Sequence, residues 1–63
     1  MTKLEKMYQE IATNLEQGVN DLEKFEEGNM SAGTRVRKTM QIVKTLAQQI
    51  RVEVQEQKNA VAA

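Results

Sequence analysis

Glu26-Glu27-Gly28-Asn29 is the short stretch on which the fold of this chain depends. Gly28 can take the left-handed conformation that closes a helix at its C′ position. Asn29 is a strong N-cap for a helix that starts immediately afterwards. On either side of these residues the sequence keeps a helical period. Upstream, Leu4, Ile11, Gly18 and Phe25 recur every seven residues, and Tyr8, Leu15 and Leu22 recur every seven between them. Ala12 and Val19 widen this stripe. Downstream, Val36, Val43 and Ile50 share one heptad position, flanked by Met40, Leu46, Ala47 and Val54. These residues fall within an arc of about 120° at 100° per residue.

The spacing predicts a helix over about 2–27, a turn at 28–29, a second helix over about 30–57 and a frayed end over 58–63. Thr2 is placed to cap the first helix. No proline interrupts either one. Gly33 weakens the opening turn of the second helix by about 1 kcal/mol, and Gly18, on the seam itself, marks a close approach or a slack point. A link this short folds long helices back on each other as an antiparallel hairpin. The expected architecture is therefore all-α, one helical-hairpin domain over 1–63.

Two helices cannot keep both apolar stripes from water. Below roughly 70–80 residues a single core rarely supplies more than about 3–5 kcal/mol, and small folds rely on disulfides, metals or partners. This chain has 63 residues and no cysteine or histidine. Association remains, and a homodimer forming a four-helix bundle is expected. Leu4, Tyr8, Ile11, Leu15, Leu22, Phe25, Val36, Met40, Val43, Leu46, Ile50 and Val54 are its expected core and dimer residues.

Composition excludes much chemistry. Without cysteine and histidine there is no zinc site, thiol nucleophile or imidazole base. Ser31 is the sole serine and Asp21 the sole aspartate, so neither a catalytic triad nor a calcium loop can be assembled. No enzyme, cofactor, metal site or small-molecule substrate is expected. The four methionines read as a start residue and adaptable packing groups. No apolar run exceeds four residues, which argues against a transmembrane helix and a signal-peptide core. The second helix carries no Trp or Phe on its apolar face, which argues against a membrane surface. The expected location is cytoplasmic.

A net charge of zero hides a separation. Residues 1–27 hold seven acids and three bases, a net of 3 − 7 = −4, and residues 28–63 hold six bases and two acids, a net of 6 − 2 = +4. No acid lies between Gly28 and Val52. Arg37, Lys44 and Arg51 stand seven residues apart in a line about 21 Å long, flanked by Gln41, Gln48 and Gln55. Cations interleaved with amide donors suit a phosphate backbone and offer no base-reading arrangement. An acidic helix folded on a basic one can also simply pair its charges and fix the register. Both readings stand on the residues alone.

The segment Glu26-Glu27-Gly28-Asn29-Met30-Ser31-Ala32-Gly33-Thr34-Arg35-Val36-Arg37-Lys38 resembles the signature of the bacterial linker-histone-like proteins of chlamydial type. The matching positions are Glu26, Gly28, Asn29, Ala32, Gly33, Arg35, Arg37 and Lys38, and Arg51 falls where the family carries a late Arg. With the preceding acidic helix the likeness covers about residues 4–58. It implies a nucleoid-associated protein that binds and condenses duplex DNA without sequence preference. Together with the heptad line of cations and the acid-free stretch, it makes Arg35, Arg37, Lys38, Lys44 and Arg51 the expected phosphate contacts. Glu27, Met30, Val52 and Glu53 stand where the family commonly has basic residues, and the Lys/Ala-rich tail of longer members is not seen before Ala63. Weak affinity per hairpin is expected, because counterion release scales with the phosphates neutralised. The competing expectation is a helical dimerisation or protein-interaction module with no nucleic-acid role.

Overall fold

The structure, a computed structural model, describes residues 1–62. Helix α1 runs Lys3–Glu26 and helix α2 runs Met30–Ala62, packed side by side in a hairpin measuring 53 × 19 × 11 Å. The chain reverses in three residues, and its backbone groups are accounted for there. Gly28 has φ +106°, the one positive φ among the described residues. Its N–H donates to the Phe25 carbonyl at 2.9 Å, and the Asn29 N–H donates to the Lys24 carbonyl at 2.9 Å. This pair of bonds is a Schellman closure, which satisfies the last carbonyls of α1 and needs a left-handed residue at Gly28. Asn29 Oδ1 accepts from the Ala32 N–H at 3.1 Å, which caps the start of α2. At the other end, Thr2 and Glu5 form a capping box. The Thr2 backbone N–H, and then its hydroxyl, hold the Glu5 carboxyl below the ordinary carboxylate range.

α2 continues beyond the expected end at 57, and residues 58–62, expected to fray, are helical; Ala63 lies outside the described residues. No glycine or proline follows Gly33 to stop the helix, alanine is the strongest helix former, and Gln55 bonds Asn59 one turn on at 3.1 Å. Lys3 reaches Glu53 at 3.4 Å, so the last turns of α2 run past the start of α1.

The seam between the helices differs from the expected one. On α1 the half-buried residues are Leu4, Met7, Ile11, Asn14, Gly18 and Asp21. On α2 they are Gly33, Val36, Thr39, Val43, Ile50 and Glu53, with Ala32 and Leu46 buried. Tyr8, Leu15 and Leu22 lie outside this seam, and Tyr8 is 69 % exposed. The reason is geometric. The apolar stripe of α1 is wider than one seam, and a hairpin partner covers only the 3,4-spaced rows nearest it. Polar residues occupy those rows because each is satisfied: Asn14 Nδ2 donates to the Glu10 carbonyl at 2.8 Å, and Asp21 accepts from Arg35.

Two glycines on the packed side differ in role. A Cβ built on Gly33 would fall 2.6 Å from Phe25 Cδ1, so the ring occupies the space a side chain would need. A Cβ on Gly18 would stand 3.5 Å from Thr39 Cγ2, an ordinary contact. Gly33→Ala is therefore expected to destabilise the protein by about 1–3 kcal/mol through overpacking, despite alanine's better helix propensity. Gly18→Ala should stabilise it by about 0.5–1 kcal/mol. Thermal melts followed by circular dichroism measure both, and shifts of the same sign would contradict the packing.

Candidate nucleic-acid interface

Because the helices are antiparallel, positions four residues after Leu4, Ile11 and Gly18 on α1 lie on the same side as positions four after Val36, Val43 and Ile50 on α2. That side carries Tyr8, Leu15 and Leu22 on one helix and Met40, Ala47, Val54 and Val61 on the other, all exposed. Two shallow grooves confirm the placement. Leu22, Phe25, Gly33, Val36 and Arg37 line one near the turn. Leu4, Val54, Lys58 and Val61 line the other at the open end. One broad face of the hairpin is thus apolar.

The opposite face is more polar, with Ile42 and Val52 as its exposed apolar residues. Lys3, Gln49, Glu53 and Glu56 line a groove there with Met7, and Glu10, Ile42, Thr45 and Gln49 line a second with Leu46. Both acids of α2, Glu53 and Glu56, belong to this side. Glu53 accepts from Gln57 at 3.2 Å and from Lys3 at 3.4 Å, and these bonds, Gln57 first, hold its carboxyl below the ordinary range.

The candidate cations separate into two groups. Arg35 Nε donates to Asp21 Oδ1 at 2.8 Å across the hairpin. Arg37, Lys38, Lys44 and Arg51 are exposed and form no ion pair among the described residues. Arg37, Lys44 and Arg51 make one row on α2, and Lys58 extends it because the helix does not stop at 57. From Arg37 to Lys58 the row is about 32 Å long at 1.5 Å per residue, close to one turn of duplex DNA. Arg37 and Lys58 both border the apolar face. The sequence reading missed Lys58 as a member of the row; its signal was the seven-residue step after Arg51 in a stretch free of helix breakers.

Pairing across the hairpin therefore consumes little of the segregated charge. The described residues contain two ion pairs, Lys3–Glu53 and Arg35–Asp21. They hold no group of His, Cys, Asp or Glu able to bind a metal, and no helix among them is long and apolar enough to cross a membrane.

Residues 1–60 match the family described as histone H1-like protein Hc1. The chain belongs to the histone H1-like Hc1 family. That is a family of histone-like DNA-binding proteins and not of enzymes. Comparison with curated proteins and with solved structures gives no match.

The two groups of cations should respond differently to neutralisation. Arg35→Gln should weaken the hairpin by up to about 1 kcal/mol, the ceiling for an exposed pair, and should add nothing to Asp21→Asn in the double variant. Arg37→Gln should instead add its whole effect to that of Asp21→Asn, because the two side chains form no pair. Equal coupling of Arg35→Gln and Arg37→Gln to Asp21→Asn would contradict the division.

Proposed function

We propose that this Hc1-family chain is a nucleoid-associated protein that holds duplex DNA without sequence preference, through the exposed basic row of α2. The observation that carries the reading is the separation of charge on that one helix. Arg37, Lys44, Arg51 and Lys58 stand exposed on one side and form no ion pair among the described residues, while Glu53 and Glu56 sit with Lys3 on the other. A phosphate backbone approaching the row meets cations and the amides of Gln41, Gln48 and Gln55, with no carboxylate between them.

Phosphate contacts position a protein on DNA and carry no sequence information, and the row offers no bidentate pair set toward base edges. Each hairpin supplies about three to five contacts, so affinity should be micromolar or weaker and should fall with a log–log salt slope of roughly −0.9 per contact. The reading includes a homodimer, which presents two rows and gains avidity that one hairpin lacks. Arg35, held by Asp21, contributes positive potential at the turn end more than a movable contact. Lys38, one residue from the row, adds a flanking charge. The exposed apolar face keeps the interaction-module reading in play, and DNA binding decides between them.

Mobility shift of duplex DNA at low and moderate salt provides the test. Wild type should retard duplexes of equal length and different sequence alike, and the shift should vanish as salt rises. Arg37→Glu/Lys44→Glu/Arg51→Glu should abolish it with helicity retained. No retardation by wild type at low salt, or full retardation by the triple variant, would refute the proposal.

A further inference from the structure

The hairpin leaves its apolar face uncovered, and the charges on its two edges indicate what covers it. We infer that a second copy of this chain docks on the face carrying Tyr8, Leu15, Leu22, Met40 and Val54, with α1 of each copy lying on α2 of the other and both turns at the same end. The inference rests on the self-association included in the proposed function and specifies its surface and orientation.

The face has the size for it. α1 is 24 residues long, about 36 Å, and two helices side by side are about 20 Å wide, giving an area of roughly 700 Å². A stable interface of ordinary size buries about 800 Å² per partner. Within the hairpin the buried apolar residues are Ala32 and Leu46 alone among those described, whereas Leu15, Leu22, Met40 and Val54 are each 40–46 % exposed. Leu and Met at these positions keep their apolar groups in water unless something apolar faces them.

Charge selects both the occupant and its orientation. The outer edge of α1 beside this face carries Glu5, Glu16 and Glu23, all exposed; the outer edge of α2 carries Arg37, Lys44 and Arg51. Each copy therefore has one acidic and one basic edge, which makes the face self-complementary in one of its two symmetric arrangements. A two-fold axis across the helices stacks α1 on α1 and α2 on α2, setting like edges against each other. A two-fold axis along the helices stacks α1 on α2 and sets acidic edges against basic ones. The latter places both turns at one end.

The levels also match. Contacts Gly18–Thr39, Asp21–Arg35 and Lys3–Glu53 fix the axial register of α1 against α2. A two-fold axis along the helices preserves heights. Arg37 then stands between the levels of the other copy's Glu16 and Glu23, Lys44 near Glu16, and Arg51 at Glu5. The two basic rows end up on opposite sides of the bundle. Exposed ion pairs of this kind orient partners and are screened by salt, so phosphates can replace the carboxylates along a row.

The chain lacks cysteine, so one introduced thiol labels it uniquely. Glu27→Cys, at the exposed turn, carries a nitroxide, and pulsed electron–electron resonance on the full chain without DNA reads the distance between copies. Turns at one end give a distance on the order of 20 Å, two helix diameters. Turns at opposite ends give a distance close to the 53 Å length of the hairpin and would overturn the arrangement. Sedimentation equilibrium supplies the second arm. Wild type should be a dimer, Leu15→Asp should weaken dimerisation at least tenfold, and Glu16→Lys/Glu23→Lys should weaken it several-fold. Adding Arg37→Glu/Lys44→Glu to the latter should restore it, which stacking α1 on α1 does not allow. A wild-type monomer would give the face to another occupant and would overturn the inference along with the self-association it rests on. A dimer with the short distance that fails to retard DNA would leave the inference standing and refute the proposed function.

Discussion

The hairpin is organised around the Phe25 ring resting on Gly33. The ring stands where a β-carbon of residue 33 would be, 2.6 Å from its ideal position, with the left-handed turn at Gly28 lying between the two residues. A turn of this length permits several rotations of one helix against the other, and the close approach selects among them. Once Phe25 lies against Gly33, Asp21 meets Arg35, Gly18 meets Thr39 and Lys3 meets Glu53 in sequence down the pair. The same rotation turns Tyr8, Leu15 and Leu22 out of the seam and puts Arg37, Lys44, Arg51 and Lys58 along the border of the apolar face.

Charge follows from that rotation. An acidic helix beside a basic one can neutralise itself, yet the described residues form two cross-helix ion pairs, one toward each end. Exposed pairs contribute at most about 1 kcal/mol each, so Lys3–Glu53 and Arg35–Asp21 hold the register more than they hold the fold. Arg37, Lys44, Arg51 and Lys58 stay exposed on one side of the helix, with Lys38 about 100° round from them. Its two acids are held on the other, where Gln57 and Lys3 engage Glu53. Membership of the Hc1 family supports the proposed reading of that surface as the DNA contact.

The two-helix hairpin was legible in the sequence because local signals and pattern agree there. Gly28 and Asn29 carry distinct terminal chemistry, and heptad rows run on both sides of them. The partition of the apolar rows was not legible. Tyr8, Leu15 and Leu22 are more apolar than Met7, Asn14 and Asp21, so a reading by hydrophobicity places them in the seam. The structure prefers the polar row because Asn14 is satisfied by its own backbone and Asp21 by Arg35. Such partners lie 4 and 14 residues away, and the second is visible only once the helices are paired. The end of α2 was misjudged for a related reason: terminal residues are expected to fray, while Gln55–Asn59 and the alanines carry the helix to Ala62. The basic row was legible as a heptad line, whereas its isolation from Glu53 and Glu56 required the fold.

The central claim is that one side of α2 meets DNA while α1 does not. The most direct measurement is a titration of the isotopically labelled chain with a short duplex at low salt, followed residue by residue by nuclear magnetic resonance. The account predicts chemical-shift changes and broadening concentrated at Arg37, Lys44, Arg51 and Lys58 and their glutamine neighbours, reversed by added salt, with Glu10 and Glu56 on the opposite face affected far less. Changes spread equally over both helices, or centred on the polar face around Glu53, would contradict it.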